Sequence, residues 1–128
     1  MQRRRISSAM PMEQTFGYSR ALVAGDRVVV SGTAPVMPDD ADPPPDAYGQ
    51  ARRCLEIVLA ALAEAGAGPA DVVRTRMYVT RIEDIAEVGR AHGEVFRDVR
   101  PATTGLVVAA LFDPRWLVEI EAEAIIDG

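Results

Sequence analysis

Hydrophobic residues that alternate with polar ones predict a set of short β-strands along this chain. These runs cover residues 21–23, 27–30, 72–79, 103–110 and 116–126. The turn at Ala24–Gly25–Asp26 separates the first two runs and predicts a hairpin. In the last run Glu119, Glu121 and Glu123 share one face, because successive side chains of a strand point to opposite faces. Apolar residues occupy the other face of that strand.

Two longer segments carry hydrophobic residues at helical spacing. The first follows Asp46, which can cap a helix, and it ends near Gly66. Its apolar stripe consists of Ala47, Ala51, Cys54, Leu55, Val58, Ala61 and Leu62. Thr80 and Glu83 fit a capping box that would begin the second helix, and the apolar stripe of that helix includes His92.

The order of these elements predicts one α+β domain over residues 1–128. The order is strand pair, helix, strand, helix, strand pair, and the last two strands would close around the turn at residues 112–115. A single mixed β-sheet backed on one face by two α-helices is the economical arrangement. The opposite face would be exposed in a monomer, so it must be polar or be covered by a partner.

The chain is acidic, with a formal net charge of −5 and a pI of about 4.8. That balance argues against general binding to a nucleic-acid backbone, which basic patches usually perform. All 14 basic residues are Arg, so a mechanism through a lysine Schiff base is excluded. The run Arg3–Arg4–Arg5 is a solvated terminus, the polar part of an edge strand, or an arm that touches an acidic partner.

The remaining composition limits the chemistry further. Cys54 is the single cysteine, so no intrachain disulfide can form, and its place on the helical stripe predicts an inert buried thiol. A single histidine without suitable neighbours is a poor start for a zinc site, so we expect no metal and no cofactor. No apolar run approaches the ~18 residues that span a bilayer, so we expect a cytoplasmic protein with no membrane partner.

Four short segments together resemble the Rid family (reactive intermediate deaminases, also called YjgF or L-PSP proteins). The segments are Gly17–Tyr18–Ser19, Val30–Ser31–Gly32–Thr33–Ala34–Pro35, Arg100–Pro101–Ala102–Thr103–Thr104 and Val118–Glu119–Ile120–Glu121. The resemblance covers about residues 14–126. It implies a chorismate-mutase-like fold assembled as a homotrimer, with the sheets forming a central barrel and with small-molecule pockets between subunits. It also implies hydrolysis of an imine or enamine.

The resemblance implies a catalytic role for Glu119. In deaminating members the first Glu of a Glu-Ile-Glu segment orients the attacking water, and Glu119 occupies that position. The residues alone favour a structural interpretation, in which the acids of this strand form a ladder with Arg74 and Arg76. Glu121 and Glu123 are interpreted as structural in either case.

The same comparison indicates a missing guanidinium. Deaminating members read Pro-Ala-Arg-Ser where this chain has Thr103, and that Arg holds the substrate carboxylate with two charge-assisted bonds. Thr103 offers one neutral hydroxyl, so ordinary deamination of 2-iminopropanoate is disfavoured. Arg20, Arg74 and Arg76 are possible substitutes, and spacing favours none of them.

The resemblance implies further substrate-binding residues. Tyr18 is either an aromatic wall of the pocket or a packing lid. His92 is either a buried histidine with one hydrogen bond or a titratable group that lines the pocket with Glu119. The remaining candidates are Ser31, Gly32, Thr33 (where the family has Gln), Thr103, Thr104 and Gly105.

Three functions follow from these expectations. The first is hydrolysis of an imine or enamine by water that Glu119 orients. The second is a non-catalytic trimer that binds a small metabolite. The third is an endoribonuclease, and it ranks last because the chain is acidic and a lone histidine provides no acid–base pair.

Overall fold

The computed structural model describes residues 2–126, in which six β-strands and three α-helices alternate. The strands are β1 (Arg3–Ile6), β2 (Ala21–Ala24), β3 (Arg27–Thr33), β4 (Val72–Val79), β5 (Ala102–Val107) and β6 (Val118–Ile125). The helices are α1 (Pro11–Phe16), α2 (Ala47–Glu64) and α3 (Ile85–Phe96). None of the described helices is long and apolar enough to cross a membrane.

All six strands form one mixed sheet in the order β1-β2-β3-β6-β4-β5. Four of the pairings are antiparallel, and β4 pairs with β5 in parallel. The predicted single mixed sheet is therefore confirmed, but the prediction that the last two strands pair with each other is wrong. Strand β6 lies between β3 and β4 instead. Because α3 carries the chain back between β4 and β5, those two strands run in the same direction.

Helices α2 and α3 pack against each other, and α2 covers the side of the sheet formed by β3 and β6. The core between them consists of fully buried side chains from both layers. Its largest members are Phe96, Leu55, Leu62, Ile120, Val28, Val30, Val58, Val79, Val88 and Val118. The alternation of buried and half-buried residues along β6 matches the predicted alternation of polarity.

The two long helices begin in different ways. Asp46 caps α2 as predicted, because its Oδ2 accepts a hydrogen bond of 3.1 Å from the Gly49 N–H. The predicted capping box for the second helix is wrong. A 3-10 turn at Ile82–Asp84 precedes α3, and the Thr80 N–H donates to the carbonyl oxygen of Leu117. Because α3 begins at Ile85 and its N-cap position is Asp84, Thr80 and Glu83 both lie before the helix and cannot form its capping box.

Within residues 2–126, no helix covers the sheet face opposite α2 and α3, which we call the open face. Half-buried charged and aromatic side chains populate its centre, and Val29 and Leu106 are exposed beside them. Strand β1 is one edge of the sheet, so the run Arg3–Arg4–Arg5 forms the polar part of an edge strand. The central residues of the open face are Arg76, Tyr78, Glu119, Glu121 and Glu123.

Candidate functional site

Glu119 lies on the open face of β6, directly opposite Tyr78 of β4. Its carboxylate also packs against Gly32 of β3, where a Cβ atom would collide with Oε2 of Glu119. Burial raises the pKa of the Glu119 carboxyl above its ordinary value, and the positive charge of Arg20 offsets part of that rise. The local structure thus combines the half-buried acid Glu119 with the nearby cation Arg20 and with the backbone of Gly32, which has no side chain.

The backbone around Gly32 forms a bulge in β3. Pairing with β6 shifts register between Val30 and Thr33, which is the signature of a β-bulge. The Nη2 atom of Arg20 stabilises the bulge, because it donates to the carbonyl oxygens of Ser31 (2.7 Å) and Gly32 (2.9 Å) and to Oγ1 of Thr33 (2.7 Å). Sequence reasoning did not identify this role of Arg20, since the acceptors lie on another strand.

The two other acids of β6 are paired with arginine. Arg76 lies 3.1 Å from Glu121 and 3.7 Å from Glu123, and Arg27 lies 2.8 Å from Glu123. The structural ladder expected from the sequence therefore exists for Arg76, and Arg27 rather than Arg74 is its second arginine among the described residues. Within residues 2–126, Glu119 has no such ion pair and accepts no hydrogen bond. The structure thus separates Glu119 from two neighbours that the sequence pattern does not distinguish from it.

The arginines considered as substitutes for an Arg at position 103 each have a partner, although within residues 2–126 the buried Nε atoms of Arg20 and Arg74 have none. Arg20 binds the β3 bulge, and Arg76 pairs with the acids of β6. The Nη2 atom of Arg74 donates to Oγ1 of Thr104 at 3.1 Å. Thr104 therefore points to the open face and contacts an arginine of the neighbouring strand.

Thr103 belongs to a second group of polar residues. Its Oγ1 atom lies 2.8 Å from Oγ1 of Thr75, which in turn lies 2.8 Å from Nε2 of His92. Thr75 is buried and His92 is 9% exposed, so His92 is a buried histidine with a hydrogen-bond partner. Burial lowers the pKa of His92. Sequence reasoning missed Thr75, which has the pattern of an ordinary inward-facing strand residue.

Gly105 and Thr33 complete the inward-facing candidates. A Cβ on Gly105 would lie 3.2 Å from the side chain of Ile85 on α3, so this position of β5 is closely packed by the helix layer. Thr33 is fully buried and donates from Oγ1 to the carbonyl oxygen of Ser31 at 2.8 Å. Ser31 in turn donates from Oγ to the carbonyl oxygen of Ser19 at 2.7 Å. These contacts hold backbone in place beside Glu119 and beside Thr103.

Tyr18 is 41% exposed and lines a cavity of about 860 Å³ between the start of the chain and α1. Glu13 also lines this cavity, and no motif or spacing in the sequence marks it as a functional residue. Burial by itself would raise the pKa of Glu13, but hydrogen bonds from Ser8 and Ser7 hold that pKa below its ordinary value. The cavity therefore has a fixed negative charge in its wall.

The candidate residues fall into two groups that do not meet within one chain. Glu119 lies level with Tyr78 and Leu106 and faces the open side, whereas Thr103 lies three residues before Leu106 and contacts the inward-facing Thr75. Two strand spacings separate them by roughly 10 Å sideways, and three residues add roughly 10 Å along the strands. In one chain His92 and Glu119 therefore lie on opposite faces of the sheet.

Comparison with known proteins identifies the family. Residues 9–126 match the model of the family described as endoribonuclease L-PSP. The uncharacterized protein SCO2049 of Streptomyces coelicolor is 44% identical over 121 residues, which cover 94% of this chain and 90% of that protein. The 2-iminobutanoate/2-iminopropanoate deaminase of Escherichia coli is 33% identical over 111 residues, which cover 84% of each chain.

A solved structure agrees with these sequence matches. The crystal structure of Rv2704 from Mycobacterium tuberculosis is described as a member of the highly conserved YjgF/YER057c/UK114 family. It superposes with a TM-score of 0.89 at 43% sequence identity, and the match covers 98% of this chain and 100% of that one. The resemblance expected from the four sequence segments is confirmed, and the chain belongs to the Rid (YjgF, endoribonuclease L-PSP) family.

Proposed function

We propose that this protein hydrolyses the C=N bond of a small imine, or of the imine that forms from an enamine, with water oriented by Glu119. The observation that supports this proposal is the unused hydrogen-bonding capacity of the Glu119 carboxylate. It is half-buried beside the bare backbone of Gly32, and within residues 2–126 it has no ion pair, while Glu121 and Glu123 are paired. A carboxylate with unused acceptor capacity can bind and orient a water molecule.

The reaction requires few catalytic groups besides Glu119. The oxygen of the oriented water bonds to the imine carbon, the π bond of C=N breaks, and one proton of that water is transferred to the nitrogen. In the resulting carbinolamine the hydroxyl proton is transferred to the nitrogen as the C–N bond breaks, which gives a ketone and ammonia. Glu119 acts as the hydrogen-bond acceptor of the water, so it must be ionised for the first step.

The substrate would bind between subunits of a homotrimer. Glu119 and Thr103 lie on opposite faces of the sheet in one chain, so a pocket that uses both groups requires a second copy. The open face has exposed Val29 and Leu106 beside its charged centre, and an assembly would cover it. The other substrate-binding residues of this pocket would be Tyr18, Ser31, Gly32, Thr33, His92, Thr104 and Gly105.

Standard 2-iminopropanoate is a poor substrate in this proposal. Thr103 stands where deaminating relatives have the Arg that binds the substrate carboxylate. Loss of such a charge pair weakens binding of a carboxylated ligand by about 2–4 kcal/mol. The replacement arginines have other partners in the structure. We therefore expect a neutral or weakly charged substrate.

Ammonia release from enzymatically generated imines tests the proposal. The parent protein should accelerate release over the uncatalysed background, and Glu119→Ala should reduce the rate to that background. Glu56→Ala, an exposed acid on α2, is the matched control and should keep the parent rate. Equal background rates in the parent and in Glu119→Ala would instead favour a metabolite-binding trimer without catalytic activity.

The endoribonuclease activity in the family description remains the third candidate. His92 is the lone histidine and is buried, and the net charge of −5 disfavours RNA binding. Specific RNA cleavage that disappears in His92→Ala would overturn this ranking. Light scattering on a sizing column tests the trimer separately, and a monomer would contradict a pocket between subunits.

A further inference from the structure

Three side chains and one backbone carbonyl form a continuous chain of hydrogen bonds beneath the edge of the sheet. His92 Nε2 lies 2.8 Å from Oγ1 of Thr75, and Thr75 Oγ1 lies 2.8 Å from Oγ1 of Thr103. Thr103 Oγ1 in turn lies 3.0 Å from the carbonyl oxygen of Pro101. The chain therefore runs from a buried histidine to an exposed residue of an edge strand.

The direction of every bond in this chain follows from its last member. A carbonyl oxygen only accepts, so Thr103 must donate its hydrogen to Pro101. A hydroxyl has one hydrogen, so Thr103 accepts from Thr75. Thr75 has then used its own hydrogen, and it must accept from the Nε2–H of His92. The geometry thus assigns the neutral His92 to the tautomer with its hydrogen on Nε2.

This direction decides what Thr103 can offer to a ligand. Its hydrogen is used on Pro101 and one lone pair is used on Thr75, so the second lone pair of Oγ1 is what remains. A guanidinium has only donors, so a threonine held in this way reverses the hydrogen-bond polarity of the position. Thr103 presents an acceptor where relatives of the deaminating type present a donor.

We propose that Thr75 and His92 determine substrate specificity by holding Thr103 as a hydrogen-bond acceptor, so that the pocket selects neutral ligands that carry an N–H or O–H donor at this point. Thr75 and His92 are positioning residues here, because they act through Thr103. The inference rests on the proposed function for the location of the pocket. The tautomer of His92 can be measured without any assay of activity. The proposed hydrolysis and the proposed role of Thr75 and His92 can therefore be refuted by separate experiments.

The lone histidine makes the tautomer directly measurable. A long-range ¹H–¹⁵N correlation spectrum at pH 8 should show His92 with its hydrogen on Nε2. In Thr103→Val, Thr75 loses its acceptor and should donate to Nε2 of His92, which moves the imidazole hydrogen to Nδ1. Thr103→Ser restores the hydroxyl and should restore the Nε2–H tautomer.

Thr15→Val is the matched control for this measurement. The hydroxyl of Thr15 also donates to a proline carbonyl, that of Pro11 at 3.3 Å, but it lies on α1. Thr15→Val should therefore leave the His92 signals unchanged. A parent protein with its hydrogen on Nδ1, or an unchanged tautomer in Thr103→Val, would overturn the proposal. Thr103 is exposed, so its variants should fold.

Two ligands that differ only in an amide or a carboxylate group test whether the pocket selects a neutral hydrogen-bond donor. By calorimetry, 2-oxobutanamide should bind the parent protein about tenfold more tightly than 2-oxobutanoate, the difference that one hydrogen bond makes. Thr103→Arg should reverse the order, because a guanidinium binds the carboxylate. If the parent binds the carboxylate at least as tightly as the amide, or binds neither probe, the selectivity is refuted.

Discussion

The carboxylate of Glu119 packs directly against the backbone of Gly32, in the space that any side chain at position 32 would occupy. The bulge of β3 creates this contact, and Arg20 holds the bulge through the carbonyl oxygens of Ser31 and Gly32. The acid and the backbone beside it therefore form one unit.

Gly32→Ala should displace the carboxylate of Glu119 and lower the rate of ammonia release by about 10- to 100-fold, the effect expected when a reacting group is misplaced by about 1 Å. The added methyl group collides with Oε2 of Glu119. Steady-state kinetics measure the rate, and circular dichroism checks the fold. Gly89→Ala is the control, since a Cβ there meets nothing within 4 Å. Equal rates in parent and Gly32→Ala would show that the position of Glu119 is unimportant.

Arg20→Gln should shift the acid limb of the pH–rate profile to higher pH. Burial raises the pKa of Glu119 and the charge of Arg20 lowers it, so removal of that charge raises the pKa further. The ionised carboxylate is the active form, so the rate increases as pH rises through this pKa, and a higher pKa moves the increase upward. Arg90→Gln, an exposed arginine on α3, should leave the profile in place. A profile that does not move in Arg20→Gln would exclude Glu119 as the titrating group.

Gln50→Ala should lower the free energy of unfolding by about 2–4 kcal/mol, because it leaves three part-buried backbone groups without their partners. The Gln50 side chain is 1% exposed and donates to the carbonyl oxygens of Pro44 (2.9 Å) and Arg115 (3.0 Å), and it accepts from the Leu117 N–H (2.7 Å). Urea unfolding measures the loss. Gln14→Ala, at an exposed position of α1, should change the stability by less than about 0.5 kcal/mol. Losses of equal size would contradict the argument.

Cys54 should remain unreactive towards a thiol reagent such as Ellman's reagent until the protein unfolds. Cys54 belongs to α2, its side chain is fully buried against β6, and burial raises the pKa of the thiol well above its ordinary value. Thiolate is the reactive form, so both access and ionisation are suppressed. Native protein should show no labelling at pH 8, while protein in guanidinium should show one thiol per chain. Fast labelling of the native protein would mean that this helix opens readily.

Local patterns were sufficient to predict much of the secondary structure. The stripe from Ala47 to Leu62 predicts α2, and the alternation around Glu119 predicts β6. Both signals arise from burial on one face, which a single segment records in its own residues. The start of α3 could not be read in this way, because Thr80 and Glu83 fit a capping box locally, whereas the chain first forms a 3-10 turn at Ile82–Asp84 and the helix begins after it.

Strand order required information from distant segments. The last two runs were expected to pair across a short turn, but β6 inserts between β3 and β4, where both of its edges are paired. Inward residues such as Ile120 and Ala122 are then fully packed against the helix layer. The free energy of that burial depends on residues that are far apart in the chain, so no local pattern reveals it.

The sequence by itself determined the family, the α+β class and the absence of lysine chemistry, because these depend on which residues are present and on short-range spacing. Only the tertiary structure decided that, within residues 2–126, Glu119 has no ion pair while Glu121 and Glu123 do, that Arg20 binds a bulge, and that Thr75 links His92 to Thr103. Each of these relationships joins side chains from different strands or helices, and hydrogen bonds between them depend on distances that only folding sets.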